Sequence, residues 1–130
     1  MNFIFFNPDE MRAESAGCYG HPLVKTPHLD RLAAEGTRFN QAHVTHTVCS
    51  PSRCSALTGW HPHVRGHRSL WHLLHPEEPN LFAYLHEAGY HILWAGKNDA
   101  FPKFCTFFEV KRPQPLVDQG FVVVSFFPSV

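Results

Sequence analysis

The sequence predicts an α/β fold, a sandwich with a largely parallel sheet flanked by helices. Three observations carry this expectation. A short apolar run opens the chain and another recurs near residue 90, segments with helix start and stop signals stand between them, and polar residues follow the carboxyl end of each run.

Asn2 to Phe6 is bulky and apolar and is closed by Asn7-Pro8, the pattern of a strand buried on both faces and ended by a loop. Asp9 and Glu10 then fall just past its carboxyl end, where open α/β sheets keep their ligands. Thr26-Pro27, the apolar Leu29, Leu32 and Ala33, and Gly36 predict a helix with a side-chain cap, a first-turn Pro, one apolar face and a terminal Gly. Residues 37–44 carry β-formers and suit a strand. Pro51 to Thr58 suits a short helix ending near Gly59.

A polar, Pro-rich connection from His61 to Pro79 leads to Asn80, the cap of a helix carrying Leu81, Leu85 and Ala88 and ending at Gly89. Tyr90 to Ala95 follows as a second buried strand and delivers Gly96-Lys97 to its carboxyl end. If the two strands run parallel, Lys97 shares an edge of the sheet with Asp9. From Phe101 the sequence changes character, with Phe-rich pieces and Pro102, Pro113, Pro115 and Pro128. Gly120 to Phe127 fits either one more strand or sequence without a place in the fold, and no repeat or linker marks a second domain.

A chain of 130 residues, 44% hydrophobic, suffices for one globular domain of the common size of about 100 to 150 residues. Eleven Lys plus Arg balance eleven Asp plus Glu without clustering, which argues against a nucleic-acid groove or an anionic membrane surface and for a small ligand. The longest apolar run is far below the ~20 residues that span a bilayer. The N-terminus has no basic leader and an apolar stretch shorter than the roughly 7 to 15 residues of a signal sequence, so the expected location is the cytoplasm. Cys18, Cys49, Cys54 and Cys105 therefore read as reduced thiols. Eleven histidines lack a compact ligand spacing, and most are expected on surfaces and loops.

The stretch Cys49-Ser50-Pro51-Ser52-Arg53 concentrates the chemistry. With Pro51 opening a helix, Cys49 and Arg53 lie on one face of its first turn, beside backbone N–H groups that lack intrahelical partners and favour an oxyanion. The plainer reading is a buried Cys and a solvated Arg around a Pro turn.

The rest of the chain shifts the balance, because several of its motifs, in order, resemble the N-terminal sequence of the sulfatase family, within the alkaline-phosphatase superfamily. The pentapeptide matches the family's Cys-x-Pro-x-Arg motif. Gly17-Cys18-Tyr19-Gly20-His21-Pro22, the run from Thr26 to Gly36, Arg38-Phe39, Leu57-Thr58-Gly59, Glu87-Ala88-Gly89-Tyr90 and Ala95-Gly96-Lys97 follow the same family pattern. The resemblance covers Met1 to about Asp99 and none is evident after that. It implies an incomplete alkaline-phosphatase-like sandwich, with residues 1–100 the N-terminal part of a catalytic domain and 101–130 a divergent tail.

The resemblance implies a sulfuric ester hydrolase in which Cys49 is converted to formylglycine by a formylglycine-generating enzyme. One hydroxyl of the hydrated aldehyde attacks sulfur, and the second helps to expel sulfate, which splits the reaction into two easier steps. The implied cofactor is Ca²⁺ or Mg²⁺ held by oxygen ligands. Asp9 matches the first metal ligand of the family, Glu10 stands at a position usually held by Asp, and residue 49 completes the set that this chain offers. Arg53 would steady the modified residue, and Lys97 would contact the sulfate as charge builds in the transition state. The implied partner is a small-molecule or saccharide sulfate ester.

Two departures from the family pattern stand out. Asn98 and Asp99 occupy the positions at which most relatives carry Trp and then a catalytic His. The chain also ends before the remaining family ligands, so it is expected to be incomplete alone, to hold a cation poorly, and to expose a sheet edge and an unfilled face. A cysteine phosphatase would need a longer spacing between nucleophile and Arg. Zinc on Cys49, Cys54, His43, His46, His61 and His63 lacks a regular ligand spacing. A catalytically inert truncated product, and a phosphonate or phosphodiester hydrolase with the same motif, remain as alternatives.

Overall fold

The structure is a computed structural model that describes residues 2–75, 77–102 and 121–126. The chain divides into two compact units, one of Met1–Asp9 with Val44–Val130 and one of Glu10–His43.

The larger unit is built on three strands, β1 (Phe3–Phe6), β2 (His91–Gly96) and β3 (Phe121–Phe126), in the order β1-β3-β2. Both pairings are parallel, with Phe3 opposite Val122 and His91 opposite Phe121. β1 and β2 run parallel on either side of β3, so the chain between them must cross back over the sheet, and it carries the helices α2 (Cys49–Thr58) and α3 (Leu81–Glu87). The run near residue 120, which the sequence left open, is a strand, and it is the central one.

The helix ends follow local chemistry. Asn80 caps α3 by accepting from the N–H groups of Phe82 (3.1 Å) and Ala83 (3.0 Å), and Gly89 takes the left-handed φ of 86° that turns the chain into β2. Gly59 does the same after α2, at φ 72°. Here α2 begins two residues earlier than Pro51 suggests, because its first turn is closed by the Ser52 N–H donating to the Val48 carbonyl at 3.1 Å.

The core joins α2, α3 and β2. Cys54, Leu57, Leu74, Phe82, Ile92, Ala100 and Phe101 are buried, with Leu85, Tyr90 and Trp94 packed against them. Phe82 and Trp94 meet edge to face with ring centres 5.5 Å apart, and Trp94 and Phe101 do the same at 6.2 Å. Each fully buried large side chain contributes about 1.5–3 kcal/mol of transfer free energy, so this cluster is the main stabilising element described.

The expectation that β1 is buried on both faces is not met: Phe3, Ile4, Phe5 and Phe6 are all exposed, Ile4 by 74%. Among the described elements β1 packs only on β3, whereas α3 packs on β2, so the burial goes to the β2 side of the sheet. The connection between α2 and α3 is ordered by His67, which is buried. Its Nδ1 lies 3.0 Å from the His72 carbonyl and its Nε2 3.1 Å from the Glu78 carboxylate, which also accepts from the His75 N–H at 2.8 Å.

The smaller unit centres on α1 (Pro27–Glu35). Thr26 stands at the cap position, but its hydroxyl does not cap the helix; it accepts from the Gly17 N–H (2.8 Å) and donates to Asp30 (2.9 Å). Asp30 in turn accepts from the Cys18 N–H at 2.6 Å. A Cβ on Gly17 would meet the Asp30 carboxylate at 2.6 Å, so a larger residue there would have to push that carboxylate off its hydrogen bonds. Tyr19 donates to the Phe39 carbonyl at 2.8 Å, and Arg38 donates to the Cys18 carbonyl while lying over the Tyr19 ring. The apolar face expected of α1 is covered only in part: Leu29 and Ala33 are half-buried, Leu32 is exposed, and none of its residues is fully buried. Residues 37–44 form no strand: a turn at Asn40 and Gln41 interrupts them, and they are exposed. No described helix is long and apolar enough to cross a membrane.

Candidate active site

Three chain segments meet at the carboxyl ends of β1 and β2. Because both strands run parallel to β3, Asp9, three residues past β1, and Lys97, the first residue past β2, come to one edge of the sheet. The start of α2 completes the site from the helical layer. Cys49 is its first residue and is partly exposed, while Ser50 and Pro51 are buried. Val48 just before it is extended and donates its N–H to His46 Nδ1 at 3.0 Å.

One turn along, Arg53 points inward with its side chain 5% exposed. Its guanidinium donates to Asp9 Oδ1 at 2.7 Å, and the Asp9 side chain is itself 6% exposed. A second guanidinium nitrogen donates to the Lys97 carbonyl at 3.3 Å, which ties the helix start to the end of β2. The Lys97 ammonium lies 2.7 Å from Asp9 Oδ2 and 3.2 Å from Asp99 Oδ2. Two carboxylates and two cations thus balance within one cluster, as burial of charge demands.

The electrostatics follow from this geometry. The hydrogen bond from Lys97 holds the Asp9 carboxyl below its ordinary value, with burial opposing and Arg53 assisting. The same bond raises Lys97 above the usual lysine range, against burial, with Asp99 and then Cys49 adding to the effect. Cys54, in the next turn of the same helix, is a different kind of cysteine: wholly buried, its thiol is pushed up to about 11 by desolvation.

The sequence marked Asp99 only as a departure from the family pattern and not as a partner of Lys97, because a carboxylate two residues from a lysine carries no pairing signal by itself. Its backbone has a left-handed φ of 50°, a region that Asp tolerates better than most residues. Asn98 braces this turn: its carbonyl oxygen accepts from the N–H groups of Ala100 (3.1 Å) and Phe101 (3.0 Å), and its amide donates to the Phe101 carbonyl (3.0 Å). Asn98 is therefore a structural residue here.

Asp9, Arg53 and Lys97 are brought together, with Cys49 beside them; Glu10 begins the smaller unit and has φ 55°. The described residues do not by themselves fit a hard divalent ion. Both oxygens of Asp9 are paired with cations, and among the described residues no three His, Cys, Asp or Glu side chains converge. Cys18, Cys49 and Cys54 are free thiols, and Cys105 lies outside the described residues.

The fold superimposes on a solved structure of a protein in complex with its substrate D-Glucosamine-2-N, 6-O-disulfate, at a TM-score of 0.84 and 20% identity, covering 96% of this chain and 34% of that one. The fold is the alkaline-phosphatase-like α/β type. A family model described as Sulfatase matches residues 1–119, and the chain belongs to the sulfatase family. The match continues past Asp99, where the sequence alone showed no further resemblance.

The chain is 32% identical over 96 residues to an N-acetylglucosamine-6-O-sulfatase of Bacteroides thetaiotaomicron, covering 74% of this chain and 17% of that protein. It is 39% identical over 97 residues to an ulvan-active sulfatase of Formosa agariphila, covering 74% and 19%. With human arylsulfatase A the identity is 45% over 58 residues, covering 45% and 11%. The chain thus spans less than a fifth of the length of these relatives.

Proposed function

We propose that this chain is the N-terminal part of a sulfuric ester hydrolase, with residues 1–100 belonging to its catalytic domain and Cys49 as the residue converted to formylglycine. The observation that carries the reading is the placement of the Cys-x-Pro-x-Arg motif: Cys49 starts α2, and Arg53 is buried against Asp9 at the carboxyl edge of the sheet.

Formylglycine supplies a hydrated aldehyde, a nucleophile whose second hydroxyl allows the sulfate to be released. The chain's own residues do the positioning. The first turn of α2 directs N–H groups towards an oxyanion near residue 49. Arg53 fixes Asp9 and the end of β2, and so sets the distance between residue 49 and Lys97. The Lys97 side chain, 30% exposed, is the cation placed to meet sulfate oxygens that enter from solvent. Asp9, Glu10 and residue 49 are the oxygen donors this chain offers to Ca²⁺ or Mg²⁺. The described geometry holds too few of them to bind the ion alone. The substrate class proposed is a small-molecule or saccharide sulfate ester, because the relatives named above include saccharide-directed sulfatases.

The test is co-production of the chain with a formylglycine-generating enzyme, peptide mass spectrometry on residue 49, and an aryl sulfate assay with added Ca²⁺ or Mg²⁺. Conversion at residue 49 with turnover supports the reading in full. Conversion without turnover supports it as part of a longer catalytic unit. A residue 49 that stays a thiol would reject it.

A further inference from the structure

We propose that the cavity on the connection between α2 and α3, walled by Arg65, Trp71, His72 and His75, is a second binding site that takes a sulfated saccharide unit.

The cavity has a volume of about 410 Å³, within the roughly 300–1,000 Å³ of small-molecule sites. Leu74 and Pro102 line it with apolar surface, and Trp71, 87% exposed, adds an indole to the wall. An indole joins a large flat apolar face to one N–H donor. That suits a ring whose faces are C–H surface and whose rim is hydroxylated, as a sugar's is.

The polar groups of the lining select an anion. Arg65 lies over the Trp60 ring, 5.5 Å from its centre, and among the described residues no carboxylate pairs with it. The Ser69 hydroxyl accepts from the Trp71 N–H at 3.3 Å and holds His72 through Nδ1 at 2.9 Å, which leaves Nε2 for a ligand. The described lining carries Arg65 and three histidines and neither Asp nor Glu. A permanent cation with five donors and no internal acceptor fits a sulfate or carboxylate oxygen. The cluster at Asp9 differs, since each of its cations already faces a carboxylate.

The wall is also built in advance. His67 holds the His72 carbonyl, Glu78 holds the His75 N–H, and the Leu74 N–H donates to the Ala100 carbonyl at 2.8 Å. A ligand therefore meets a lining already ordered, which lowers the entropy lost on binding. Pro102 follows Asp99, the partner of Lys97, by three residues, at most about 11 Å of extended chain. An oligosaccharide with one sulfate ester at Lys97 can thus place a further sulfated unit in the cavity. The choice of a saccharide rests on the hydrolase proposed above, whereas the preference for an anion rests on the lining alone.

The experiment is a heteronuclear NMR titration of the full 130-residue chain, with residue 49 left as a thiol, using N-acetylglucosamine 6-sulfate, N-acetylglucosamine and inorganic sulfate. The sulfated sugar should shift the Trp71 indole N–H saturably, and the two other probes should bind at least about tenfold more weakly. Trp71→Ala and Arg65→Met alter exposed side chains, so both should fold, and each should weaken binding about tenfold or more. Equal affinity for the neutral sugar or for inorganic sulfate would overturn the inference. So would binding unchanged in both variants, no binding, or shifts confined to the amides of Cys49 and Lys97. The thiol form is used throughout, so a residue 49 that is never converted would reject the hydrolase and leave a positive titration at Trp71 standing.

Discussion

Arg53 and Asp9 lie 44 residues apart in sequence and meet at 2.7 Å, both almost wholly buried, which locks the first turn of α2 to the loop after β1. The consequences of that contact are open to direct test.

Removing one partner of a buried pair leaves the other uncompensated. Arg53→Met is expected to lower the unfolding free energy by about 3–5 kcal/mol. Arg53→Lys restores part of it, because a lysine keeps the charge but cannot bond Asp9 and the Lys97 carbonyl together. Urea unfolding monitored by Trp fluorescence reads both.

Asp9 also sets an acid limit. Its carboxyl titrates below the ordinary 3.8, so the stability it contributes is fully present above that value and is lost as pH falls through the folded-state value. The urea midpoint should therefore fall on the acid side of 3.8. Asp9→Asn should start from a lower midpoint and show a shallower acid decline.

The cysteines should separate by reactivity. Cys54 is buried and its thiol is pushed up to about 11, so at mildly alkaline pH iodoacetamide should leave it unmodified in the folded chain. Cys49, partly exposed, should react unless it has been converted. Peptide mass spectrometry with and without denaturant distinguishes the two, and early labelling of Cys54 would contradict the packing described.

Asn80 bonds two N–H groups at the start of α3, and Asn80→Ala is expected to cost about 1 kcal/mol, with Asn80→Asp recovering most of it. Phe82→Ala, which empties the centre of the core between Trp94 and Phe101, should cost about 3–5 kcal/mol. Chemical unfolding should rank the two in that order.

Much of the fold was legible because its signals are local. The Asn80 cap with Gly89, the stop at Gly59, and the apolar runs that became β1 and β2 each involve neighbours within a turn or a strand. Where local signals misled, tertiary partners had intervened. Thr26 has the residue type of a cap, yet Gly17 and Asp30 claim its hydroxyl. Residues 37–44 have the composition of a strand but no ladder. The motifs around Gly17, Thr26 and Arg38 marked the family, and the structure gives them mechanical work inside the smaller unit.

By itself the sequence determined the α/β class, the family, and the candidates Asp9, Cys49, Arg53 and Lys97, because caps, breakers, apolar runs and motif spacing are written in adjacent residues. Only the tertiary structure decided that residues 121–126 form the central strand, that both cations close on Asp9, and that Asp99 joins them. The contacts at Asp9 join residues as far as 88 positions apart, and their geometry follows from parallel strand order and register, which no local stretch of sequence specifies.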